Sequence, residues 1–230
     1  MKKAKKVIGE KYTWGPIPRK KNVFYRFTKR FLDIFLGLVI LILISPIFLV
    51  GLLISLISTK YYPIFADERV GKGNKTIKVF KFRTMYKDAE TNIGEYLTED
   101  QIKQWEIERK VDNDPRVTKG GTFLRKTSID ELPQLLNIIA GTMSFVGPRP
   151  ISKRELDMNF APEEQEILTS VRPGLTGMWQ VFGRTEETWQ SGRRKRLDHV
   201  YMIKRSLWLD IKLFVLTIPS CIGFLFHKSK

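Results

Sequence analysis

The stretch FLDIFLGLVILILISPIFLVGLLISLI, Phe31 to Ile57, decides how the rest of the chain is read, because Asp33 is its only charged residue. Roughly 20 apolar residues suffice to cross the hydrocarbon core of a bilayer, so a run of this length is a membrane segment. Two features argue against a straight crossing. Ser45-Pro46 lies near the middle of the run, and proline removes a helix hydrogen bond and clashes with the preceding turn, so a sharp bend is predicted there. Both flanks are basic: Lys20, Lys21, Arg26, Lys29 and Arg30 precede the run, and Lys60, Arg69, Lys72, Lys75, Lys78, Lys81 and Arg83 follow it. Positive flanks stay in the cytoplasm, and a helix bent back at Ser45-Pro46 keeps both there. A proline-kinked spanning helix is the alternative. A signal peptide is not expected, because about 30 mostly polar residues come first and no small-residue cleavage site follows.

Outward from this segment, residues 1–30 read as a basic arm, with Trp14-Gly15-Pro16-Ile17-Pro18 suited to an extended path on anionic membrane lipid. Residues 58–206 read as a cytoplasmic domain and 207–230 as an amphipathic segment lying in the interface, interrupted by Pro219, with a second transmembrane helix as the alternative. Asp67 to Val70, a turn at Gly71-Lys72-Gly73-Asn74, and Thr76 to Phe82 predict a β-hairpin. Lys87 to Lys110 has the composition of a surface helix or lid. The expected class is α+β, mainly helical.

Charge narrows the chemistry. Forty Lys and Arg against 24 Asp and Glu give a net charge of +16 over 230 residues, which suits a polyanionic partner: anionic lipid, phosphorylated substrate or nucleic acid. The single cysteine, Cys221, rules out an internal disulfide, and with only two histidines a Cys/His zinc site lacks ligands. Neither GxxxxGK[ST] nor GxGxxG occurs, which disfavours a P-loop or dinucleotide enzyme.

Two adjacent carboxylates, Asp130 and Glu131, stand just before an apolar helical pattern that contains Pro133. Proline is tolerated in a first helical turn, so the helix is predicted to begin near Asp130, with Ser128 and Glu131 as an alternative capping box. Either arrangement sets both carboxylates at the positive end of a helix, where phosphate also binds. An ionised carboxylate there serves as a nucleophile, as a Mg²⁺ ligand, or as nothing more than a cap. Around this pair, Lys81, Arg83, Arg116, Arg125, Arg149 and Arg172 occur mostly in turns stiffened by proline or glycine, which suits arginine to bidentate phosphate recognition.

The ordered blocks Ser45-Pro46, Glu68-Arg69-Val70-Gly71, Lys81-Phe82-Arg83-Thr84-Met85, Asp114-Pro115-Arg116-Val117-Thr118, Ser128 to Leu135, Met143 to Pro150 and Arg172 to Gly177 resemble the bacterial sugar transferases. More narrowly, they are similar to the monotopic polyprenyl-phosphate phosphoglycosyl transferases in their minimal catalytic form. This resemblance implies a re-entrant membrane helix broken at Ser45-Pro46. It also implies transfer of a phosphosugar from a UDP-sugar to a polyprenyl phosphate, with release of UMP, at the cytoplasmic face of the membrane. By motif, Asp130 matches the nucleophile and Glu131 its partner, associated with a Mg²⁺ cofactor. Lys81, Arg83, Arg116, Arg125, Arg149 and Arg172 are then expected to contact phosphate. The blocks Trp179 to Arg184 and Asp198-His199-Val200-Tyr201 resemble further family blocks, and both are expected to complete the substrate pocket, with Asp198 and Tyr201 as named candidates. A homodimer and downstream glycosyltransferases are compatible as partners. Two rival readings, a membrane-tethered nucleic-acid-binding protein and a non-catalytic basic adaptor, also explain the anchor and the charge. The first predicts aromatics interleaved with Lys and Arg, whereas here the arginines sit in Pro/Gly turns, so no nucleic acid is expected.

Overall fold

A computed structural model of the chain describes residues 22–89, 91–108, 111, 113–182 and 192–226. Most of the basic arm, and the stretch 183–191 with the end of the Trp179 block, lie outside them.

The apolar run forms two helices, α1 (Val23–Leu43) and α2 (Ser45–Thr59), bent by 71° at Ile44. Pro46 stands in the first turn of α2, where its missing N–H costs nothing, and the Ser45 hydroxyl donates to the Ile42 carbonyl at 2.8 Å, satisfying an acceptor released by the break. The helix begins upstream of the apolar run because the Asn22 side chain accepts the Tyr25 N–H and caps it. No single helix among the described residues is long and apolar enough to cross a membrane, whereas this bent pair together has the length and composition.

Strands β1 (Ile64–Val70) and β2 (Thr76–Phe82) form the antiparallel hairpin, in the register Phe65 to Lys81 and Asp67 to Val79. Its turn is a short 3-10 segment, Lys72–Asn74, in which Gly73 has φ 70°. Two short helices follow, α3 (Ile93–Tyr96) and α4 (Glu99–Glu108), in place of one longer lid helix. Then come α5 (Lys119–Lys126), α6 (Gln134–Ala140), β3 (Ser144–Val146), α7 (Lys153–Asn159), α8 (Pro162–Thr169), β4 (Gly174–Thr176), α9 (Met178–Phe182), α10 (Arg193–Lys204) and α11 (Leu207–Phe226). Strands β3 and β4 pair in parallel, with α7 and α8 in the crossover. The fold is thus mainly helical with two small sheets, in the expected class.

The principal core gathers Val79, Leu135, Ile138, Met143, Phe145 and Leu213 between the hairpin, α6, β3 and α11. The membrane helices are built into it. A Cβ on Gly37 would lie 3.0 Å from Ile139, so α1 runs close to α6. A Cβ on Gly51 would lie 2.8 Å from both Ile129 and Phe82, so α2 supports the turn that carries the carboxylates. At the other end, Asp210 of α11 accepts bonds from Lys29 (2.8 Å) and Tyr25 (2.8 Å) of α1 and from Tyr201 (2.9 Å) of α10.

Candidate active site

The site is organised by a chain reversal. α5 ends at Lys126 with Thr127 as its cap, and Ser128 takes a left-handed conformation, φ 57°, that turns the backbone into a single 3-10 turn, Ile129–Glu131. α6 begins only at Gln134, after Pro133. Both helical expectations for this segment are therefore corrected. The helix does not start at Asp130, and Ser128 makes no capping bond, because its left-handed backbone directs the chain away from helical geometry. The carboxylates are displayed on a tight turn between two helices, so capping does not account for them.

Asp130 is half-buried on this turn. Partial burial, with the adjacent Glu131, pushes its carboxyl up to about 6 against the pull of Lys81 and Arg125. Lys81 is fixed by the hairpin. Its ammonium lies 2.9 Å from Asp67 across the strand pair, and Asp67 also accepts from Arg69 at 2.7 Å. Burial alone would raise Asp67, but Lys81 and Arg69 outweigh it and hold its carboxyl below the ordinary range. Arg125 is fixed by the segment just beyond β2, where its Nε donates to Thr84 Oγ1 at 2.9 Å. Two cations held by separate elements thus act on one half-buried carboxylate.

An open cleft of about 350 Å³ lies beside this turn, lined among others by Arg69, Lys81, Glu131, Gln134, Arg149 and Gln180. Of the cations expected at phosphate, the structure brings Lys81, Arg125 and Arg149 to the turn or cleft. Arg116 is 3% exposed, forms a bidentate pair with Asp114 (2.9 and 2.7 Å), and lies over Trp105, so its fork is occupied. Arg83 donates to the Tyr62 carbonyl at 3.0 Å and covers the Tyr61 and Phe65 rings.

Arg172 is placed elsewhere. Its Nε donates to the Gly141 carbonyl at 2.6 Å, beside Arg30, which donates to Ile138 and Ile139, so both arginines satisfy carbonyls at the C-terminus of α6. Tyr201 is likewise committed to Asp210 in the joint between α10, α11 and α1. Asp198 is buried facing Arg194 and Arg149; burial pushes its carboxyl up to about 7 and depresses Arg194 to about 10, so desolvation outweighs their attraction.

Asp67, Arg69, Thr84, Gln134 and Gln180 were not singled out by sequence reasoning. The strand alternation that sets Asp67 and Arg69 on the face of Lys81 was a usable signal, and Gln134 and Gln180 stand inside the blocks Ser128 to Leu135 and Trp179 to Arg184, which gave no individual role to either. The donor set suits Mg²⁺, which keeps several waters and is commonly held by one or two carboxylates plus substrate phosphate. Asp130 and Glu131 are such a pair, and no cluster of three or more Asp, Glu, His or Cys that would form a self-sufficient cage occurs among the described residues.

Residues 24–223 match the family described as bacterial sugar transferase. The chain is 39% identical over 194 residues to the exopolysaccharide production protein ExoY of Rhizobium meliloti (strain 1021), covering 84% of each chain. It is 38% identical over 194 residues to the undecaprenyl-phosphate galactose phosphotransferase of Salmonella typhimurium (strain LT2), covering 84% of this chain and 40% of that one. A similar match, 38% over 197 residues, is to the UDP-glucose:undecaprenyl-phosphate glucose-1-phosphate transferase of Escherichia coli (strain K12), again spanning 40% of the longer relative.

Proposed function

The chain belongs to the bacterial sugar transferase family, and on that premise we propose that it transfers a phosphosugar from a UDP-sugar to a polyprenyl phosphate, releasing UMP. The observation that carries this reading is Asp130, a half-buried carboxylate under the charges of Lys81 and Arg125, next in the chain to Glu131, which lines a cation-rich cleft. Relatives named for undecaprenyl-phosphate galactose and glucose phosphotransfer support the substrate class, and those named for exopolysaccharide production support a place in glycan assembly.

In this mechanism an ionised Asp130 oxygen attacks the phosphorus that bears the sugar. The bond from that phosphorus to the bridging oxygen breaks, UMP departs with the electron pair, and an aspartyl phosphosugar remains. A phosphate oxygen of the polyprenyl phosphate then attacks the same phosphorus, forming the lipid diphosphate sugar and returning Asp130 as a carboxylate. Lys81 and Arg125 offset charge on the phosphoryl oxygens while holding Asp130 in place, and Arg69 and Arg149 offer further cations along the cleft. Mg²⁺, held by Glu131 with or without Asp130, supplies Lewis-acid neutralisation of the diphosphate when bound.

The bent pair α1–α2 enters the cytoplasmic leaflet and returns as a re-entrant hairpin. Its bend carries strongly exposed apolar side chains, Ile42 and Leu43 at 72% and 73%, where lipid would cover them, while Lys29 and Arg30 stay near the base. The described part of the C-terminal segment, 207–226, then lies along the interface, and the domain between the two membrane-facing parts lies in the cytoplasm. A panel of UDP-sugars with undecaprenyl phosphate and Mg²⁺, read as UMP release, tests the reaction. Release with at least one sugar, dependent on the lipid for turnover, is expected; no release with any of them would overturn it.

A further inference from the structure

Gln180 lies in the wall of the cleft that holds Glu131 and Lys81, is only 8% exposed, and its Oε1 is buried with no hydrogen-bond partner among the described residues. A buried polar atom left unpaired costs stability, so its presence beside a cleft points to a bond completed by a ligand. The side chain is held firmly for this purpose. Strands β3 and β4 meet through glycine: a Cβ on Gly174 would lie 2.1 Å from the Gly147 nitrogen, and one on Gly177 would lie 2.2 Å from the Gly147 carbonyl oxygen. Only bare backbone allows that approach, which sets the first turn of α9 against β3. The same Cβ position on Gly177 is 3.3 Å from Gln180 Oε1, so the amide sits directly above the glycine contact. From the other side α10 braces α9, with Arg194 over the Trp179 ring at 6.0 Å.

We infer that Gln180 selects the donor, its amide hydrogen-bonding a hydroxyl of the sugar or ribose of a nucleoside diphosphate sugar bound in this cleft. The inference rests on the transfer reaction proposed above and assigns a role within the same site. Charge divides the labour. Arg69, Lys81 and Arg149 line the cleft and suit the diphosphate, whereas a neutral amide gains nothing from anionic oxygens that these cations already satisfy. Either orientation of the amide presents one hydrogen-bonding group to the cleft, and a hydroxyl, which both donates and accepts, matches either. Gln134, 4% exposed in the same wall, adds a second neutral amide. A site that hydrogen-bonds a substrate hydroxyl rejects the analogue lacking it, because the protein group is then left unpaired.

The test compares wild type with Gln180→Leu, using the UDP-hexose that turns over fastest and the analogues that each lack one hydroxyl of the hexose or of the ribose, with melting temperature measured in parallel. We expect the variant to melt at the wild-type temperature or above, since an unsatisfied polar group is removed, while kcat/KM for the full hexose falls about tenfold or more. At one position the wild-type preference for hydroxyl over hydrogen should vanish in the variant. Unchanged discrimination at every position would overturn the inference, as would a lower melting temperature with loss of rate but intact discrimination. If wild type turns over no UDP-sugar, the transfer reaction itself fails. Calorimetric titration of UDP-hexose into both proteins then decides Gln180 alone: weaker binding to Gln180→Leu sustains its role, and equal or absent binding to both overturns it.

Discussion

Arg125 Nε donates to Thr84 Oγ1 at 2.9 Å, joining the helix that precedes the carboxylate turn to the segment just beyond the strand that carries Lys81. The two cations beside Asp130 are therefore mechanically linked. The same contact is close in the backbone: a Cβ on Gly121 would lie 2.0 Å from the Thr84 carbonyl oxygen, and the Thr118 N–H donates to that oxygen at 3.0 Å. Thr84→Val removes the hydroxyl and keeps the shape, so turnover is expected to fall about tenfold with a melting temperature lowered by only a few degrees. Gly121→Ala should instead lower the melting temperature sharply, because backbone must move. Steady-state rates and thermal melts of the two variants check both outcomes; a Thr84→Val enzyme with wild-type kcat would show that the link is not needed.

Asp130→Asn is expected to abolish UMP release while the protein still melts cooperatively, since an amide cannot form the acyl phosphate. Incubating wild type with UDP-sugar and no lipid acceptor should add a phosphosugar mass to the peptide containing Asp130. Wild-type turnover by the variant would sink the covalent mechanism.

Glu131→Gln separates charge from shape. Because Ser128 makes no capping bond, glutamine has no capping role to preserve or lose here. The variant should therefore melt like wild type, turn over more slowly than wild type but faster than Asp130→Asn, and respond more weakly to Mg²⁺. Titrating Mg²⁺ against rate is the measurement; an unchanged curve would remove Glu131 from the metal site.

For the membrane hairpin, cysteines placed at positions 22 and 72 in a Cys221→Ser protein should show equal protection from an impermeant thiol reagent in intact cells. Labelling at 22 alone would mean that the run spans. Replacing Ser45 and Pro46 together by leucine removes the helix break and should shift position 22 outward, if the bend outweighs the flanking charge.

Stability should also respond to pH through Asp198. Its folded carboxyl titrates near 7, above the unfolded value, so the folded state keeps its proton to higher pH. As pH rises from about 4 toward 7, the unfolded chain loses that proton first, and Asp198 increasingly favours unfolding. Melting temperature over this range should fall less steeply in Asp198→Asn than in wild type. Parallel slopes in the two proteins would contradict the assignment.

The bend at Ser45-Pro46, the hairpin and the family itself were legible in the sequence because each rests on local chemistry: proline without an N–H, glycine in a tight turn, residue types in fixed order. The carboxylate turn was legible in composition and misread in conformation. Proline at 133 and Ser128 three residues before Glu131 fit a helix start, but local propensity could not reveal that Ser128 would take a left-handed backbone against α2, whose Gly51 admits Ile129 so closely. Which cations serve Asp130 was decided only by tertiary structure. Arg116 and Arg172 look in sequence like Arg125, each in or beside a constrained turn. Yet Asp114 claims the first and the carbonyl end of α6 claims the second, while the hairpin register and Thr84 deliver Lys81 and Arg125. A charge in a sequence has no partner until folding supplies one, and burial sets which pairings prevail by making each unpaired charge costly.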